Sequence, residues 1–93
     1  MVTTVSSSVM ETKKAEEVGR VTAAGSRAVA SARDVVMARL AEKEKAPTPE
    51  EKAAIETTVE AARVLVRAEE QKLEAAIDGV TNKWDGLIEQ RTR

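Results

Sequence analysis

All-α is the fold class written into this 93-residue chain: two long helices in an antiparallel hairpin, a coiled-coil-like bundle completed by further copies or a partner. Proline punctuation at mid-chain, helically spaced apolar residues on both sides of it, and a shortage of bulky core residues lead to that architecture. The punctuation is Ala46-Pro47-Thr48-Pro49-Glu50-Glu51. Thr48 and Glu51 have capping-box spacing, so the hydroxyl can accept from the N–H of Glu51 while the carboxylate reaches back to the N–H of Thr48. Pro49 falls on the first helical position, where a missing N–H costs nothing. Pro47 ends the preceding helix by biasing Ala46 away from helical dihedrals. The organisation is therefore an N-terminal arm over residues 1–8, a first helix over 9–46, a turn over 47–49 and a second helix over 50–92.

The first helix opens at Ser8 and Glu11, a second capping-box spacing. Val21, Ala28 and Val35 form one line at seven-residue spacing, Val18, Gly25 and Ala32 the next, with Val29 and Val36 beside them. This arc of small side chains is broader than one neighbouring helix requires. Gly19 and Gly25 weaken the helix by about 1 kcal/mol each, let another backbone approach, and mark residue 25 as a site for a kink.

The second helix carries Val59, Val66, Leu73, Val80 and Leu87 on one heptad line. Ile55, Ala62 and Ala76 flank it early; Ile77 and Trp84 flank it later, on the other side. The seam drifts around Leu73, as a 3.6-residue helix drifts against a strict seven-residue repeat. Asp78-Gly79 and Asp85-Gly86 are turn-type dipeptides, but their recurrence seven residues apart within the pattern favours a continuous helix.

The core supply is thin. Of the 39 hydrophobic residues sixteen are Ala and twelve Val, with no Phe or Tyr and one Trp. Neither Cys nor His is present to staple a small fold through disulfide or zinc. Association is the remaining staple, and a homo-oligomer or larger protein assembly is expected.

Charge supplies a register. Between Val18 and Leu40 stand Arg20, Arg27, Arg33 and Arg39 against Asp34, whereas Glu50 to Asp78 holds eight acids against four bases. Folding back about Pro47–Pro49 sets Arg39 near Glu56, Arg27 near Glu69 or Glu70, Arg20 near Glu74 or Asp78, and Asp34 near Arg63. Such exposed pairs are individually weak but jointly select an antiparallel alignment.

Chemistry is sparse. Without His, Cys or Tyr the usual bases and nucleophiles are missing, and the glycines stand singly, so a non-catalytic protein is expected, with no cofactor and no metal. Asp78, Asn82 and Asp85 share a helix face, but without calcium-loop alternation they read as a solvated surface. The arginines have acids across the hairpin and the net charge is −1, so nucleic acid is not an expected partner. Amphipathic binding to a membrane or granule surface is a third reading, disfavoured by the small apolar side chains. With no apolar signal core and no membrane-length apolar run, a cytoplasmic protein or a virion component is expected.

Trp84-Asp85-Gly86 resembles the tripeptide of the small secreted helical-hairpin family named for a Trp-x-Gly motif, and the length and two-helix plan are similar. That family places the tripeptide in the turn near mid-chain. Here the turn is Pro47-Thr48-Pro49, so membership is not inferred, and Trp84 reads as a packing anchor beside Val80 and Leu87. The leading expectation is a structural subunit of a multi-copy assembly, viral particles being one setting; the alternative is a regulatory inhibitor or adaptor using one helix face. The residues expected to carry helix packing are Val18, Val21, Ala28 and Val35 on the first helix, and Val59, Val66, Leu73, Val80, Trp84 and Leu87 on the second.

Overall fold

Thr48 starts the second helix by accepting the N–H of Glu51 on its Oγ1 at 3.2 Å, while its carbonyl takes the N–H of Lys52 at 3.0 Å. In the computed structural model, which describes residues 7–92, this cap separates α1 (Ser7–Lys45) from α2 (Pro49–Thr92). The two pack as an antiparallel hairpin. Ala46 closes α1 by donating its N–H to the Lys43 carbonyl at 3.2 Å. Lys43 and Lys45 lie in the last turn of α1 and Glu50 and Glu51 in the first turn of α2, each complementing its helix dipole. α1 is already helical at Ser7, so Ser8 sits inside the first turn, its carbonyl accepting from Thr12 Oγ1 at 2.9 Å. The expected arm lies outside the described residues up to position 6.

α2 runs unbroken through both Asp-Gly pairs, and no glycine has positive φ. Gly79 and Gly86 face open space. Gly25 differs: a Cβ there would overlap Leu73 Cδ1 and stand 3.0 Å from its Cγ and 3.1 Å from its Cβ. The absent side chain lets α1 close on α2 at this level, and α1 continues through it as one helix.

Most of the interior positions, though not Val59, fall on lines that repeat every eleven residues. On α1 they run Met10, Val21, Ala32 and Lys43; Lys14, Gly25 and Val36; Val18, Val29 and Leu40. On α2 the sets are Ile55, Val66, Ile77 and Ile88; Ala62, Leu73 and Trp84; Glu69 and Val80. Eleven residues in three turns is about 3.67 per turn, near the undistorted helix, whereas a heptad demands 3.5 and a left-handed winding. The Cα envelope is accordingly flat, 76 × 16 × 9 Å.

Two of the heptad positions lie outside the contact between α1 and α2. Val35 is 45 % exposed and Leu87 39 %; the neighbouring Val36 and Ile88 take the inward positions. Each is the point where seven-residue counting has slipped one position around a straight helix. The same slip turns Ala76 outward and Ile77 inward.

Little is sealed from water. Met10, Val29, Val59 and Ala62 are the buried apolar residues among those described, and only Val59 is completely enclosed. The radius of gyration is 21.1 Å, against about 12 Å for a compact domain of this length. One layer of two helices has no third element to cover either broad face.

Candidate protein interface

Both broad faces of the hairpin present apolar side chains. On the first, Val29, Val36 and Met37 of α1 and Val66, Leu73 and Ile77 of α2 line a groove between the helices. Its wider part offers about 640 Å³. Charged groups rim it in sequence: Arg63 and Arg67 toward the turn, Arg33, Asp34 and Glu70 at the middle, and Glu74 and Asp78 toward the open end. Arg33 donates to Glu70 Oε2 at 2.9 Å across the groove, and Arg63 donates to Glu60 Oε1 at 2.6 Å along its own helix. No ion pair among the described residues engages Arg67, Glu74 or Asp78.

The opposite face is shallower. Val21, Ala24 and Gly25 meet Leu73 and Ala76 there, edged by Glu69 and Lys72, which pair with each other at 3.5 Å. Val35 and Leu65 stand on the same side, and Leu65 is 61 % exposed. Met37, on the grooved face, is 65 % exposed. Because Met37 shares its stretch of groove with Arg63, Val66 and Arg67, the exposed Val35, Met37, Val64 and Leu65 all lie at one level of the hairpin. They form an apolar belt around it.

The open end is held by polar contacts. Glu17 Oε2 accepts the indole N–H of Trp84 at 2.7 Å, and Lys83 Nζ donates to both Glu17 oxygens at 2.6 and 2.8 Å. The Lys83 ammonium also stands 5.3 Å from the Trp84 ring centre, a cation–π distance. The bonds from Lys83 and then Trp84 hold the Glu17 carboxyl below its ordinary value, against the opposing effect of desolvation. Lys14 donates to Asp85 Oδ1 at 2.6 Å, which raises the Lys14 pKa. Near the turn, Lys43 donates to Glu56 Oε2 at 2.6 Å and lowers that carboxyl. These contacts set register; among the described residues no group of three or more His, Cys, Asp or Glu is placed to hold a metal ion.

The residues singled out from sequence fall into three groups. Val59 is enclosed, and Val18, Val21, Ala28, Val66, Leu73, Val80 and Trp84 are half-buried. Val35 and Leu87 point outward. The expected charge pairs are displaced. Arg39 donates to Glu42 in its own helix, Glu56 takes Lys43, Glu70 takes Arg33, and Arg63 serves Glu60 and, at 4.0 Å, Glu56. No ion pair among the described residues joins Arg20 to Glu74 or Asp78, Arg27 to Glu69 or Glu70, or Asp34 to Arg63.

The physical reason is side-chain direction. Cα–Cβ bonds tilt toward the N-terminus of their helix, so a long basic side chain reaches a partner displaced from the residue directly opposite. Lys14, Arg33, Lys43 and Lys83 each reach in that sense. Opposition counted from the turn alone misses this lean. The exposed Met37 and Leu65 lie off both the heptad lines and the eleven-residue lines, so neither repeat singled them out.

No protein-family model, curated protein or solved structure shows a significant match to the chain. The fold and the surface define a small all-α helix-packing module. No described helix is long and apolar enough to cross a membrane.

Proposed function

We infer that this chain is a non-catalytic structural subunit, built to be packed against other helices in a protein assembly. The observation that carries this reading is the set of exposed apolar side chains Val35, Met37, Val64 and Leu65, midway along a hairpin in which Val59 alone of the described residues is completely enclosed. Exposed apolar side chains gathered at one level of a hairpin are surface that protein interaction can cover. A lone pair of helices with so little enclosed area gains little against the chain entropy of about 1–2 kcal/mol per residue, so association supplies the missing burial. The polar contacts at the turn and open end support the reading by fixing the two helices as one unit before assembly.

Sedimentation velocity and multi-angle light scattering on the purified chain test it. Concentration-dependent association, with a melting temperature that rises with concentration, is the expected result. A monomer that melts cooperatively at every concentration would end this reading.

A further inference from the structure

The groove has a charge polarity centred on the helix that forms it. α2 spans Pro49–Thr92, so its midpoint falls between Glu70 and Gln71. Arg67 and Glu74 stand at equal distances on either side of that point, seven residues or about 10.5 Å apart at 1.5 Å per residue. Arg63 extends the basic half and Asp78 the acidic half. At the centre, Arg33 and Glu70 neutralise each other at 2.9 Å. Arg63 is largely answered by Glu60, which leaves, on α2, Arg67 on one side and Glu74 and Asp78 on the other without an ion-pair partner among the described residues; Asp34, also without one, stands on the α1 rim.

We propose that the grooved face binds a second copy of this chain turned end over end, with Arg67 of each copy set against Glu74 and Asp78 of the other. The two-fold axis lies in the interface across the width of the hairpin and passes level with Glu70. It places α2 on α2 and α1 on α1, each antiparallel, and gives a four-helix arrangement with the apolar groove at its centre. An interface of this kind is self-complementary, since one patch supplies both halves of every contact. The polarity selects it over a copy laid on in parallel, which would leave the basic ends level with each other.

Size agrees with this occupant. Because the charge centre coincides with the helix midpoint, the two hairpins overlap along their whole length. A face of 76 by 16 Å offers roughly 1,200 Å² per copy, more than the ~800 Å² per partner of a standard stable interface. An axis placed elsewhere along the helix would leave overhanging ends and less contact. The row Val29, Val36, Val66, Leu73 and Ile77 becomes the buried centre, and the three charged side chains sit on its rim, where they govern pairing more than total affinity.

This inference rests on the assembly reading above and names the partner for one face. Sedimentation equilibrium on the full chain tests it, with Arg67→Glu as one variant and Glu74→Lys/Asp78→Lys as another. All three positions are exposed, and circular dichroism verifies that helicity is kept. Each variant should dimerise at least tenfold more weakly than wild type, because the α2 positions that meet across the axis, 67 against 74 and 78, then carry the same sign. An equimolar mixture of the two should regain dimers, since acidic positions then meet basic ones, and added salt should weaken the wild-type dimer. If both variants associate as wild type does, the grooved face is not the self-interface, while the assembly reading stands. If wild type never associates, both readings fall and the groove belongs to a different protein.

Discussion

Gly25 on α1 lies so close to Leu73 on α2 that an added Cβ would overlap Leu73 Cδ1 and stand 3.0 Å from Cγ. Rotating the leucine does not remove the conflict, because its Cβ is also only 3.1 Å away. Gly25→Ala should therefore destabilise the hairpin by about 1–3 kcal/mol through overpacking, although alanine is the better helix former by about 1 kcal/mol. Gly79→Ala meets open space and should stabilise by about 0.5–1 kcal/mol. Opposite signs in chemical denaturation are the expected outcome; a stabilised Gly25→Ala would show that the helices are not in contact there. Leu73→Ala should cost less in the Gly25→Ala background than in wild type, because there it also relieves the overlap.

The cap at Thr48 stabilises a junction that has little other packing. Its Oγ1 accepts the Glu51 N–H at 3.2 Å, and the surrounding Pro47, Pro49 and Glu50 are exposed. Thr48→Ala should cost about 1 kcal/mol, in the usual range for a lost N-cap. Thr48→Ser should lose much less, because the hydroxyl remains. Thermal melts of the two variants beside wild type check this, and equal losses would assign the effect to the threonine methyl.

The hairpin itself was legible because its signals are local. Thr48, Pro49 and Glu51 lie within four positions and specify the start of α2 without reference to anything distant. Inward residues were legible where the seven-residue and eleven-residue repeats coincide, as at Val18, Val21, Val66 and Leu73, and Val59 through the heptad alone. They diverge toward the ends, so Val36 displaces Val35 and Ile88 displaces Leu87. The correct period depends on the absence of supercoil winding, which is a property of the helix pair and not of either segment. Ion pairs were hardest to read. Arg33 and Glu70 were both identified as charged face residues, yet their pairing depends on which way each side chain leans, a tertiary detail that spacing from the turn does not contain.

Acid should loosen the open end. Bonds from Lys83 and Trp84 hold the Glu17 carboxyl below its ordinary value. A carboxyl depressed in the folded state contributes stability that is present above the unfolded pKa and lost as pH falls through the folded one. The loss therefore begins in the acid range, below about 4.5, the ordinary value for this carboxyl. Lys14 has the opposite sense: raised by Asp85, its contribution is complete below its ordinary value of 10.5 and declines as pH climbs past the folded one. Trp84 is the sole aromatic residue, so its fluorescence reports the Glu17 contact directly. Titration downward should shift its emission in wild type, and Glu17→Gln should flatten that change. An identical acid transition in Glu17→Gln would place its origin elsewhere, with Glu56 beside Lys43 the next group to examine.

Register can be measured independently of the seam. Arg33 and Glu70 are joined across the helices at 2.9 Å, and both side chains remain substantially exposed, at 63 % and 44 %. A double-mutant cycle with Arg33→Ala and Glu70→Ala should give a coupling of about 0.2–1 kcal/mol, the range of solvent-exposed pairs. Pairing Arg27→Ala with the same Glu70→Ala should give none, although simple opposition about the turn puts Arg27 nearer to it. The two cycles share one partner and differ only in which arginine is removed, so changes in helix propensity and unfolded chain cancel within each. Coupling at Arg27 in place of Arg33 would mean that the helices sit roughly two turns from the alignment described, and would move Gly25 out of contact with Leu73 as well. Coupling at Arg33 alone ties the ion pair, the close approach at Gly25 and the eleven-residue seam to one alignment.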